Sequence, residues 1–130
     1  MYALFLGQDS SMSLRMEIKQ LEINHLFSFQ TDAEEIMKRI VDHKGVTQLM
    51  VINKNGHPLN MTLEMNEASE SQVKHIHEFA IAARRVVRDM DPTDNLVFLR
   101  TSSDNFEILI SPDEEFTVVV VQEKMEKTTK

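Results

Sequence analysis

Five histidines, a scatter of aspartates and a short run of arginines are the side chains of this chain with chemistry to offer. Their spacing decides how much of it is open to them. His75 and His77 stand two residues apart, and in a helix such residues point roughly 200° away from each other, so they cannot share one metal ion. His25, His43 and His57 fall in separate segments. There are no cysteines, which removes thiolate metal sites, disulfides and cysteine nucleophiles. None of the serines sits in a glycine-flanked strand-to-helix elbow of the hydrolase kind. The three glycines, Gly7, Gly45 and Gly56, are too far apart to build a loop that cradles phosphate with its amides. Asp89, Asp91, Asp94, Asp104 and Asp113 lack the alternating oxygen ligands, central glycine and closing glutamate of a calcium loop. Asp91 and Asp94 read instead as turn residues flanking Pro92. The expectation is a chain with no catalytic residues, no metal and no cofactor.

What remains is a basic patch. Arg84, Arg85 and Arg88 lie close together, with Arg84 and Arg88 one helical turn apart. They read either as a solvated face with partners such as Asp89 or as a docking site for an acidic segment, which makes Arg84 and Arg88 candidate partner-binding residues. The net charge of −7 argues against a nucleic-acid partner, because phosphate contacts need a basic face. No apolar run approaches the roughly 20 residues needed to cross a bilayer. The opening Met1-Tyr2-Ala3-Leu4-Phe5-Leu6-Gly7 is short and has no basic lead-in, so it does not read as a signal peptide. A cytosolic protein is expected, and the sequon Asn60-Met61-Thr62 then reads as a chance match.

The elements that must carry these residues are legible from Thr31 onward. Thr31 with Glu34 reads as a capping box, Ile36, Ile40 and Val41 form an apolar stripe, and Gly45 supplies a left-handed stop, which predicts a helix over 32–44. Val46 to Asn53 reads as a strand, Lys54-Asn55-Gly56 as a hairpin turn and His57 to Leu63 as the returning strand. Pro58 places that second strand at a sheet edge. A polar connection, with Ser69 or Ser71 as N-cap, leads into a long helix ending before Asp91-Pro92. Along it Val73, Ile76, Ala80, Ala83, Val87 and Met90 make an apolar seam, widened by Phe79, Ala82 and Val86. The seam is either sunk into the chain's own core or divided between a sheet and a second subunit. Three strands follow, 95–101, 106–111 and 116–122. The unbroken run Val118-Val119-Val120-Val121 predicts a central strand covered on both faces, hence helix, sheet, helix. Residues 1–30 form an N-terminal extension, either helical over 13–27 or frayed, and the charged tail from 124 to 130 reads as disordered.

The string Val87-Arg88-Asp89-Met90-Asp91-Pro92, followed by Asn95-Leu96-Val97-Phe98-Leu99-Arg100, closely resembles the Roadblock family of dynein light chains. Glu107-Ile108, Ser111-Pro112-Asp113 and the close from Val118 to Gln122 extend the resemblance. Lys44-Gly45-Val46, the run 51–53, Gly56 with Pro58, and Thr62 extend it upstream, so that it covers a domain over 31–123. The resemblance implies an α+β fold in which a five-stranded antiparallel sheet lies between helices, in the order α-β-β-α-β-β-β. It implies a homodimer, or a heterodimer with a paralogue, whose interface uses Phe79, Ala83, Val86 and Val87 on the helix and Leu96, Phe98 and Arg100 in the following strand. It further implies binding to the dynein intermediate chain in a cytoplasmic, microtubule-associated motor complex. A second implication, from wider relatives, is a scaffold or regulator of small GTPases. The chain departs from the family at Gln48, where glycine is usual, at His57, where an aliphatic residue is common, and at Ser103-Asp104, which replace a basic pair.

Overall fold

The computed structural model describes residues 14–20 and 30–124, the side chains of 30–34 excepted. The chain divides into two compact units, Met1–Lys44 and Gly45–Lys130. In the first unit, residues 14–20 are helical (α1), and a second helix, α2, spans Gln30–Asp42. Leu14 and Ile18 in α1, and Ile36 and Ile40 in α2, recur at four-residue spacing and are all buried. The imidazole Nε2 of His43 lies 2.9 Å from Oε1 of Glu17. The helix α2 starts earlier than its sequence signals suggest. Thr31, expected at the cap, lies inside it, and the other end stops at Asp42 rather than 44, shifts of the size that fraying helix ends commonly show. Gly45 takes the left-handed backbone expected of it, with φ of 87°. The rest of the helix anticipated over 13–27, and the tail beyond Lys124, lie outside the described residues.

The second unit holds a five-stranded antiparallel sheet and one long helix. The strands are β1 (Val46–Asn53), β2 (Pro58–Met61), β3 (Leu99–Ser102), β4 (Phe106–Pro112) and β5 (Phe116–Glu123), and the helix is α3 (Glu67–Met90). Their order across the sheet is β2-β1-β5-β4-β3. The strand with the valine run is therefore the central one, and all four valines are buried. Successive side chains of a strand point to opposite faces. Val119, with Met50 and Ile52 of β1 and Ile110 of β4, packs against Val73, Ile76 and Ala80 of α3. Val118 and Val120, with Leu49, Val51 and Leu109, lie on the other face and are buried there.

The strand β2 is at an edge, as Pro58 requires, since proline cannot donate to a second neighbour. It is shorter than anticipated, four residues in place of seven, and its ladder with β1 shifts register between Val51 and Ile52. Thr62 prolongs the pairing by other means. Its backbone N–H donates to the Leu49 carbonyl at 3.0 Å, and its hydroxyl accepts from the Leu49 N–H at 3.0 Å.

The β1–β2 turn is organised by Asn53, whose side-chain oxygen accepts from the amides of Asn55 and His57, each at 2.9 Å. Gly56 has φ of 93°, and a Cβ there would stand 2.9 Å from Cδ2 of His77 in α3. The hairpin tip thus rests on an imidazole, with no room for a side chain. Gly56→Ala is expected to lower stability by about 1–2 kcal/mol from the left-handed backbone alone. Urea denaturation would measure this, and an unchanged midpoint would show that the turn relaxes freely.

Candidate interaction site

The helix α3 carries most of the residues singled out in the sequence, and its start sets their rotation. Asn66 is the N-cap. Its side chain accepts from the Ser69 N–H at 3.0 Å, while the Ser69 hydroxyl accepts from the Asn66 N–H at 2.8 Å. Ser69, anticipated as a cap itself, is instead the reciprocal partner, and the helix begins four residues before Ser71. Ser69 has a buried side chain whose hydroxyl also donates to the Glu64 carbonyl, which fixes it inside the first turn. At the other end Asp91 is the C-cap, with its N–H on the Val87 carbonyl at 2.9 Å. The Asp91 carboxylate accepts from the Thr93 N–H at 3.0 Å and the Thr93 hydroxyl at 2.8 Å. Those bonds, the backbone one foremost, hold its pKa below the usual carboxylate value. The aspartates around Pro92 are thus turn-formers, as their spacing suggests.

Between these caps α3 changes character. Its buried residues are Ser69, Val73, Ile76 and Ala80, and none follows. The last ten residues, about 15 Å of helix, carry two apolar stripes that share Ala83. The stripe continuing Ile76 and Ala80 passes through Ala83 to Val87, both half-buried. The other runs Phe79, Ala83, Val86, Met90 and is open, with Phe79 42%, Val86 58% and Met90 83% exposed. Spacings of four, three and four are those of a seam that packs against another helix. Scattered surface apolar residues need no explanation, but a stripe of this length at the end of a well-capped helix has no covering element among the described residues.

The segment after α3 departs from expectation. The strand anticipated over 95–101 is confined to Leu99–Ser102, so that Leu96 and Phe98 precede it and only Arg100 lies within it. Leu99 pairs with Ile110, and on that register Phe98 would face Ser111 and Val97 would face Pro112, which has no N–H and ends β4. Leu96 and Phe98 are half-buried and Val97 is exposed. Arg100 grips Glu107 across the β3–β4 pair, with Nη2 to Oε1 at 2.9 Å and Nε to Oε1 at 3.1 Å.

The arginines occupy another face of α3. Ile81, Arg84, Arg85, Arg88 and Asp89 line a shallow groove of about 340 Å³. Arg84 is half-buried, while Arg88 donates to the Asn95 side-chain oxygen at 2.5 Å and so ties the helix end to the chain leaving it. The other histidine pair member, His75, lies in the first half of α3 beside Gln72, away from His77 and Gly56. Among the described residues no three histidines, aspartates or glutamates come together in a way that would hold a metal ion.

The sequence pattern of the Roadblock/LC7 domain matches residues 32–123, well over half of the chain. The chain belongs to the Roadblock/LC7 domain family. Solved structures with the same fold include the Roadblock/LC7 domain from Streptomyces avermitilis, at 7% identity and a TM-score of 0.56 over 62% of this chain and 68% of that one. They also include MglB in a tetrameric arrangement, at 12% identity and a TM-score of 0.58 over 72% and 71% of the two chains. The gliding protein MglB from Thermus thermophilus is similar at 12% identity, with a TM-score of 0.56 over 68% and 69%. At such identities these likenesses speak for the Roadblock/LC7 fold alone.

Sequence reasoning did not find Asn66, because Ser69 and Ser71 are equally good caps by type and closer to the apolar seam. It also missed the bond between Gln48 and Gln72, made across 24 residues by two side chains with no periodic signal. The placement of α3 depends on the Asn66–Ser69 box, so Asn66→Ala is expected to cost about 1 kcal/mol. Thermal unfolding of the variant against Ser71→Ala, which removes a hydroxyl outside the cap, would measure it. Equal effects would contradict this assignment of the cap.

Proposed function

We propose that this Roadblock/LC7 domain is a non-catalytic accessory light chain of a dynein motor complex. It works by pairing with a second copy of itself, or with a paralogue, and by docking onto the dynein intermediate chain in the cytoplasm on microtubules. The observation that carries the reading is the open stripe of Phe79, Ala83, Val86 and Met90. It ends at Met90, inside the string from Arg88 to Arg100 that resembles dynein light chains. Two copies meeting along that stripe would remove it from water and extend the β3 edge, which otherwise invites pairing with unwanted strands. MglB, the same fold, is found in a tetrameric arrangement, which is in keeping with association through the domain. Arg84, and Arg88 through the donors it does not spend on Asn95, lie on another face of α3 where an acidic stretch of the docked partner would reach them. Two linked copies would hold two such stretches at fixed spacing and so gain from effective concentration.

A second reading follows from the wider relatives, a scaffold or regulator of small GTPases. MglB shares this fold, and a fold by itself does not select between the two roles.

Two variants and a capture experiment test these readings together. Val87→Asp is expected to dissociate the dimer by placing an unpaired charge in the interface. Val86→Lys is the cleaner probe, because Val86 is exposed in the single chain and its replacement should alter folding stability by no more than about 0.5 kcal/mol. Sedimentation should show both variants as monomers, and a Val86→Lys dimer as tight as the parent would refute this interface. Capture from cytosol, probed with antibodies to dynein intermediate chain and to small GTPases, separates the two roles. Recovery of GTPases without intermediate chain would favour the second.

A further inference from the structure

A cleft of about 540 Å³ opens where β1 begins and β5 ends, walled on one side by the first half of α3. It lies away from the stripe of Phe79 to Met90 and from the arginine groove. Its volume falls within the range of sites that enclose a small ligand or a few residues of a peptide. The floor is apolar: Ile76 and Val121 are buried and Ile108 half-buried, while Phe106 at the rim is 41% exposed, a large aromatic surface left in water.

Three side-chain amides, Gln48, Gln72 and Asn105, lead the polar groups of the cleft, beside Thr47, His75 and Glu123. Gln72 Nε2 donates to Gln48 Oε1 at 2.6 Å, so the two amides stand side by side across the wall. A primary amide has two donors and a carbonyl oxygen. Whichever way round the pair is drawn, one amide nitrogen and one amide oxygen remain with no other partner among the described residues. The same holds for the side-chain amide of Asn105 and the ring of His75, both exposed on the cleft. Adjacent amide donors and acceptors over an apolar floor match the N–H and C=O that an extended backbone presents along its length. The one carboxylate on the lining is Glu123, and no lysine or arginine lines it. Phosphate-bearing ligands and acidic segments therefore find no counter-charge here, whereas a basic residue does.

We propose that this cleft is a peptide-binding groove that takes an extended segment of a partner protein, with one aliphatic or aromatic anchor side chain on the Ile76–Ile108 floor and a lysine or arginine beside it. Gln48 and Gln72 hold the segment's backbone, Phe106 flanks the anchor, and Glu123 receives the basic neighbour. The site is independent of the motor-complex reading, since it uses no residue of the proposed dimer stripe. Gln48 is where this chain departs from the glycine usual in the dynein light chains it resembles, and glycine could not supply the amide pair.

The test uses the full chain and random heptapeptides displayed on phage. Selection should enrich peptides with one apolar anchor next to lysine or arginine. The best of them, synthesised and titrated into isotope-labelled protein, should shift the side-chain amide signals of Gln48 and Gln72. Gln72→Ala and Phe106→Ala, neither at a buried position, should each weaken its binding by about tenfold or more, roughly the worth of one good contact. Replacing the peptide's basic residue by glutamate should weaken it as well. No enrichment would overturn the proposal. So would selected peptides that shift the signals of residues 81–90 instead, that are acidic, or that bind both variants as tightly as the parent. Val86→Lys serves as the control for a mere loss of dimer and should bind the peptide normally.

Discussion

The structure depends on one constraint above the others, the burial of four consecutive valines in the middle of a sheet. Side chains alternate across a strand, so Val118 to Val121 present apolar surface in both directions at once. Such a strand is stable only with a neighbour on each edge and cover on each face, and β5 has β1 and β4 as neighbours and is buried on both sides. The other elements follow from supplying those partners. The hairpin of β1 and β2 turns on Asn53 and Gly56. The strand β4 returns from β3 through Ser103, whose hydroxyl accepts from the Phe106 N–H, and α3 lays Val73, Ile76 and Ala80 over Val119.

That constraint also explains where the molecule is unfinished. The helix α3 is 24 residues long, and the sheet face it covers engages it only as far as Ala80. The remaining turns keep an apolar pattern and hold no fully buried residue, and the following segment pairs with β4 from Leu99 on. Beside this, the cleft at the opposite reach of α3 is a separate consequence. The helix starts on the Asn66 cap over the sheet end, and the Gln48–Gln72 pair bridges the gap that remains.

Much of this was legible in the residues. The limits of β1 matched its apolar run, those of β4 and β5 agreed within one residue, Gly45 took the left-handed backbone expected of it, and Gly56 stands in the hairpin turn expected there. Those features are decided locally, by periodicity, turn chemistry and proline. The start of α3 was not legible, because three capping residues compete within six positions and only the buried Ser69 hydroxyl selects among them. The length of β3 was not legible either, since the β-rich run from Asn95 continues into it without a break, whereas its pairing with β4 begins only at Leu99. Of the interface candidates, the helix residues stand on or beside the open stripe, while Leu96 and Phe98 lie ahead of the strand they were assigned to. The cleft left no signal at all: its lining comes from β1, α3, β4 and β5, and only the fold brings those residues to one place.

The central claim is that the open stripe of α3 meets the same stripe of another copy. The chain has no cysteine, so a single one introduced at the exposed Ala82 can carry a spin label without further change. Packed helices lie about 8–10 Å apart, and pulsed dipolar spectroscopy on the labelled protein should then give one narrow, short distance between labels. A featureless background decay at concentrations where the protein is intact, or a broad spread of long distances, would contradict it.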